Sequence, residues 1–194
     1  MFHHQTRRSL TRAAGRALGA TAVAAAVAWP GAALACGHGH GHSAERQAVR
    51  TVRQATAALH TTDRAEHAGY AQFLTCTQQP GEGAMGTHWV NGDLVGDSTI
   101  DKRHPEALVF ETLPDGTLRL VAGEYIVFQE GWDAANTEPP SLFGRDFELV
   151  EAPNRYGIPA FYEMHVWAWK ANPSGVFEDW NPRVTCDYAE GDPI

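Results

Sequence analysis

The stretch that most limits the fold is residues 106–128, EALVFETLPDGTLRLVAGEYIVF. Pro114-Asp115-Gly116 is a tight-turn tripeptide, and the alternating arms on either side of it read as two antiparallel strands. By the two-residue strand period, Leu118, Leu120, Ala122, Glu124, Ile126 and Phe128 fall on one face of the second arm. Thr117, Arg119, Val121, Gly123 and Tyr125 fall on the other. A further strand, FYEMHVWAWK, places Phe161, Glu163, His165, Trp167 and Trp169 on one face.

Ahead of these strands the period changes. Val49, Val52, Thr56 and Leu59 recur every three or four residues, with Arg46, Arg50 and Arg53 on another stripe, which predicts a helix capped by Ser43. Asp63 and Glu66 restart a helix in capping-box fashion, and Gly69 ends it. Residues 133–159 form a long irregular connection. The expectation is an α+β fold, with one or two N-terminal helices packed on a strongly bent antiparallel sheet or partial β-barrel.

The first 35 residues belong to a different kind of segment. They carry four arginines, no acidic residue, and the apolar run ALGATAVAAAVAWPGAALA, ending in small residues at Ala33-Leu34-Ala35. A basic start, a short apolar middle and a small-x-small end describe an export signal. Arg7-Arg8 followed by Leu10 resembles a twin-arginine signal, although Thr11 stands where a second apolar residue is usual. The organisation read from sequence is therefore an export signal over 1–35, a His/Gly linker over 36–43 and a single domain over 44–194.

Loss of the signal removes four of the 15 basic residues and none of the 23 acidic ones. So acidic a surface repels nucleic acid and anionic lipid and attracts cations. About 160 residues remain, enough to bury a real core. In an exported chain Cys76 and Cys186 bracket the folded body and are expected to pair, while Cys36 is left over.

Two placements break the in/out pattern. Glu124 interrupts an apolar strand face, and Glu163 with His165 interrupts an aromatic one. A carboxylate facing a core must be paired, hydrogen-bonded, metal-bound or held neutral. With His88 of MGTHWVN they form a candidate two-His, carboxylate metal set, His88, Glu124, Glu163 and His165, suited to zinc or copper. Without metal, Glu124 and His165 could act as general base and acid. A structural alternative pairs Glu124 with Arg119, Arg155 or tyrosine hydroxyls and makes His165 a satisfied core histidine. The tryptophans read as core and loop anchors. The sequence contains no nucleophile elbow, phosphate-cradling glycine loop, CxxC or HExxH.

The tail CGHGHGH offers a second candidate. Cleavage after Ala35 would expose Cys36-Gly37-His38, whose free amine, backbone nitrogens and imidazole resemble the amino-terminal copper/nickel motif, with His40 and His42 as further ligands. Lipidation of Cys36 is the competing fate, and the only route to a membrane. Ala33 stands where that signal usually has Leu.

Finally, MGTHWVN, RHPEALVFE, EYIVF, WDAAN, PSLFG and HVWAWKANPSGVFEDWNP followed by Cys resemble a family of small exported bacterial proteins of unassigned activity, over residues 50–187. The resemblance implies an exported single domain with a helical start and supplies no catalytic residues. Three functions follow as expectations: an exported metal-binding protein, a metal-free lyase, isomerase or hydrolase acting on a small organic molecule, or a non-catalytic envelope or ligand-binding protein.

Overall fold

The computed structural model describes residues 39–194, with side chains from His42 onward. The first helix, α1, runs Gly39–Thr56 and α2 runs Thr62–His67. They are followed by β1 (Ala71–Gln79), β2 (Gly83–Val90), the short α3 (Gly92–Gly96), β3 (Ala107–Thr112) and β4 (Leu118–Phe128). Then come α4 (Gln129–Asp133), three short strands β5 (Ser141–Leu142), β6 (Arg145–Asp146) and β7 (Glu148–Val150), and β8 (Phe161–Val166). Six strands form one antiparallel sheet in the order β1-β2-β3-β4-β8-β7, strongly curled into a half-barrel. The mixed α+β architecture and bent sheet agree with the sequence reading. The expected irregular connection does carry three short strands.

Helix α1 is amphipathic because its apolar positions keep the helical period. Ala48 and Val52 are fully buried, while Arg46 and Arg50 stay exposed. It begins at Gly39, so Ser43 lies inside the helix rather than capping it. Its buried stripe meets the convex face of the sheet through Tyr125, Val127 and Val166. Arg53 Nε donates to the Ala168 carbonyl at 2.7 Å and its guanidinium lies 5.5 Å from the Trp169 ring centroid. Trp169 is therefore turned toward α1, with Nε1 donating to Thr56 Oγ1. The strand ends at Val166, so the alternation predicted through Trp169 stops short of it.

Strand β4 does not keep one face along its length. Its pairing with β3 slips between Val109 and Phe110: Val109 faces Ala122, but Phe110 faces Leu120. The extra residue is a β-bulge, and a bulge inverts the faces on its two sides. Leu118 and Leu120 consequently pack with Leu108, Phe110, Trp89 and α2. Ala122, Glu124 and Ile126 face the opposite, concave side.

The concave side holds two apolar clusters. One surrounds Cys76, Ala84, Val109, Ala122, Trp167, Val184 and Cys186. The other joins Val95, Ala107, Ile126 and Phe161. Cys76 and Cys186 pair as expected, with sulfurs at 2.03 Å. The two cysteines are 110 residues apart in sequence, and closing a loop of that size is worth roughly 4–5 kcal/mol on a chain-entropy account. The last residue covers the edge of β1: Gln78 N donates to the Ile194 carbonyl, and Ile194 N to that of Cys76. Among the described residues no helix is long and apolar enough to cross a membrane.

Candidate functional site

Register explains how distant residues meet. Glu124 on β4 stands directly across from His165 on β8, and Glu163 faces the concave side two residues before it. On the other flank, His88 of β2 pairs with Val109 of β3, which pairs with Ala122. That puts His88 on the face of Glu124 but two strands away, about 9–10 Å in a flat sheet. Curling closes the gap. His88 Nε2 lies 3.3 Å from Glu124 Oε2, reaching over the small Ala107 and Val109 side of β3. His165 Nε2 lies 3.8 Å from the same oxygen. The four predicted residues are thus brought together, and all are buried, with His165 at 0% exposure.

One member of the group was missing from the sequence reading. Asp179 Oδ1 sits 3.3 Å from His165 Nδ1. The segment after β8 turns back at Asn172–Gly175 and is pinned over the strand. Trp167 N donates to the Val176 carbonyl, Asn172 Nδ2 to those of Glu178 and Trp180, and Asn181 pairs with Ala84 of β2. The signal was present in NPSGVFEDWNP. Its turn residues imply a chain reversal, and a reversal after a strand returns the next acidic residues to that strand's end.

The alternative pairing of Glu124 with an arginine is not what forms. Arg119 Nη2 bonds Glu111 at 2.7 Å, and Arg155 bonds Gln78 and Gln79 and lies 5.2 Å from the Trp180 ring centroid. Among the described residues, Glu124 Oε2, His165 Nδ1 and His165 Nε2 are buried with no hydrogen-bond partner. The 3.3 Å approach of Asp179 is close enough for strong charge interaction but is not aligned as a hydrogen bond. Orphaned polar atoms in a core cost about 1–3 kcal/mol each, so three of them in one place require a reason.

The electrostatics differ across the group. Burial alone would lower the pKa of His165, but the carboxylates of Glu124, Asp179 and Glu163 outweigh it and hold the pKa up at about 10. His88 is pushed down by burial, only partly offset by Glu124. Glu163 is pushed well up, first by burial and then by Glu124 beside it. Asp179 is held low by His165 despite its burial.

Two groupings of potential ligand atoms lie within 4.8 Å of one another: His88, Glu124 and His165, and Glu163, His165 and Asp179. Donor atoms about 2.0–2.2 Å from a tetrahedral metal stand about 3.3 Å apart. The His88–Glu124 separation has that value, and the His165–Glu124 separation exceeds it by half an ångström. A cavity of about 250 Å³ opens beside the group, with His88, Glu124 and Glu163 at its polar end and apolar walls elsewhere. His165 lies behind that polar end.

Most of the tail set cannot be placed against this group. His38 and Cys36 lie outside the described residues, as does the proposed cleavage point. His40 lies in the backbone of α1, and His42 is exposed, with Nδ1 3.3 Å from Glu45 Oε2. No family model, curated protein or solved structure matches the chain.

Proposed function

We propose that this is an exported protein that binds one transition-metal ion, zinc or copper, through His88 Nε2, Glu124 Oε2 and His165 Nε2. The observation that carries the reading is the convergence of buried, unpartnered atoms: Glu124 Oε2 and both ring nitrogens of His165. A metal ion satisfies Oε2 and Nε2 together. Asp179 then faces the outer nitrogen of His165, in the relation by which a carboxylate fixes a metal-binding imidazole. Two imidazoles and a carboxylate form a donor set suited to zinc. Export is supported by the signal-like first 35 residues, and the Cys76–Cys186 pair is compatible with it.

The competing reading places a proton where this one places a metal. His165 would then be an imidazolium between Glu124 and Asp179, and Glu124 with His165 would serve acid/base chemistry. The observation in its favour is the cavity that opens onto Glu124.

The test is zinc and copper titration of the purified protein and of a variant with His38, His40 and His42 all replaced by alanine. One equivalent retained by that variant and lost on His165→Ala supports the buried site. A tail-free variant that takes up no stoichiometric metal overturns it.

A further inference from the structure

We infer that the cavity beside Glu124 and Glu163 takes a small, mainly apolar molecule with a hydroxyl head, a phenol or an alcohol of about ten non-hydrogen atoms. The inference rests on the metal reading for its head group, but not for its apolar part.

The size follows from the cavity. Some 250 Å³ exceeds the roughly 150 Å³ that holds a benzene ring by about half a ring system more. The apolar body follows from the walls, where Phe73, Val90, Ile126, Phe128 and Phe161 supply the surface. No lysine or arginine lines the cavity, so a carboxylate or phosphate head would find the metal as its one cation, with the Glu124 and Glu163 carboxyls beside it.

The hydroxyl follows from the polar end. An ion held by His88, Glu124 and His165 would present an open position toward the cavity, and Glu163 lines the same end. A hydroxyl serves both, giving a lone pair to the metal and a hydrogen bond to a Glu163 oxygen. That oxygen accepts whether or not the carboxyl carries a proton. A carbonyl would serve both only where Glu163 carries a proton, whereas a hydroxyl serves either state, and an ammonium would have to give up its proton to reach the metal.

The mouth carries an independent mark. Leu74 lines the cavity, is 39% exposed, and adopts φ 62°, a left-handed conformation that costs a leucine about 1–2 kcal/mol. It sits where the β1–β2 register breaks, between Phe73 and Thr77, and Gln72 Nε2 donates to its carbonyl at 3.0 Å. Strain held at a cavity mouth is characteristic of a ligand contact. Here Leu74 would cover the apolar body of the ligand.

The experiment is equilibrium dialysis of the zinc-loaded and zinc-free protein against 2-naphthol, naphthalene and 2-naphthylmethylamine, with bound zinc measured in parallel. Naphthalene is expected to bind both forms within about twofold. Zinc is expected to tighten 2-naphthol at least tenfold and not to tighten the amine. Leu74→Gly should weaken all naphthyl ligands about fivefold without unfolding the chain, and Ile126→Trp should block them. If no naphthyl ligand binds either form, the cavity assignment is overturned even where zinc is bound. Bound zinc with equal affinity for naphthalene and 2-naphthol overturns the hydroxyl. Naphthalene binding with no zinc uptake overturns the metal reading and the head group with it, and leaves the apolar part supported.

Discussion

Glu111 and Glu124 are both buried glutamates on adjoining strands of one sheet, 4% and 2% exposed, yet their surroundings are opposite in kind. Glu111 on β3 meets two permanent cations, Arg119 at 2.7 Å and Lys170. Glu124 on β4 meets two histidines and a second carboxyl, and one of its oxygens has no hydrogen-bond partner. Burial of a carboxylate is thus not the mark of a site. What separates the two is whether the fold itself has already neutralised the charge. Around Glu111 it has, and around Glu124 the balance is left to a proton or an ion.

That contrast can be broken in graded ways. The largest effect is expected for Glu124→Gln, which removes the charged ligand and should weaken zinc more than a hundredfold, as read by calorimetry. If its zinc affinity matches that of the unaltered protein, Glu124 is as structural as Glu111. Next, Glu111→Gln should leave metal binding within twofold but lower stability by about 2 kcal/mol in urea unfolding. It breaks a buried pair, less than the usual cost because Arg119 is half exposed. Asp179→Asn should weaken zinc about tenfold, the lower range for an outer-shell partner, with little change in the unfolding midpoint of the metal-free chain.

The smallest effect sharpens the contrast with a third carboxyl. Glu106 is 2% exposed, and its Oε2 accepts from Ile126 N at 3.1 Å. Burial pushes its pKa up to about 8, with Asp97 and Glu124 adding to the rise against the backbone bonds that oppose it. The folded chain then keeps a proton that the unfolded chain releases near its ordinary pKa of 4.5. Stability contributed by that proton is present below pH 4.5 and is lost as pH rises to about 8. Of the stability that metal-free protein loses between pH 6 and 7, Glu106 should account for about 1 kcal/mol, within the limit of about 1.4 kcal/mol per pH unit for one proton. Glu106→Gln should make that slope shallower by about this amount, leaving the part that Glu163 contributes, and a slope unchanged by it would assign the proton elsewhere.

Much of this arrangement was legible in the sequence because strand periodicity is local. Glu163 and His165 declare their shared face within three residues, and Glu124 declares itself by interrupting an apolar run. His88 carried no local motif, and only the curl of the sheet, a property of all its strands together, brings it over β3. The bulge at Val121 left no signature in composition, so Leu118 and Leu120 were assigned to the wrong face. Asp179 escaped because its role depends on where a loop returns, which turn residues announce without giving the landing point. Trp169 failed for a simpler reason: alternation continues in the sequence after the strand has ended.

Whether His88, Glu124 and His165 hold one metal ion can be read from cobalt(II), whose visible spectrum reports coordination. In the variant lacking His38, His40 and His42, one equivalent of cobalt should produce the intense absorption of a low-symmetry, four-coordinate N/O site. That absorption should vanish in Glu124→Gln and persist in Glu111→Gln. A weak, octahedral spectrum indistinguishable from aqueous cobalt would rule out the three-residue site, and so would a strong one that survives Glu124→Gln.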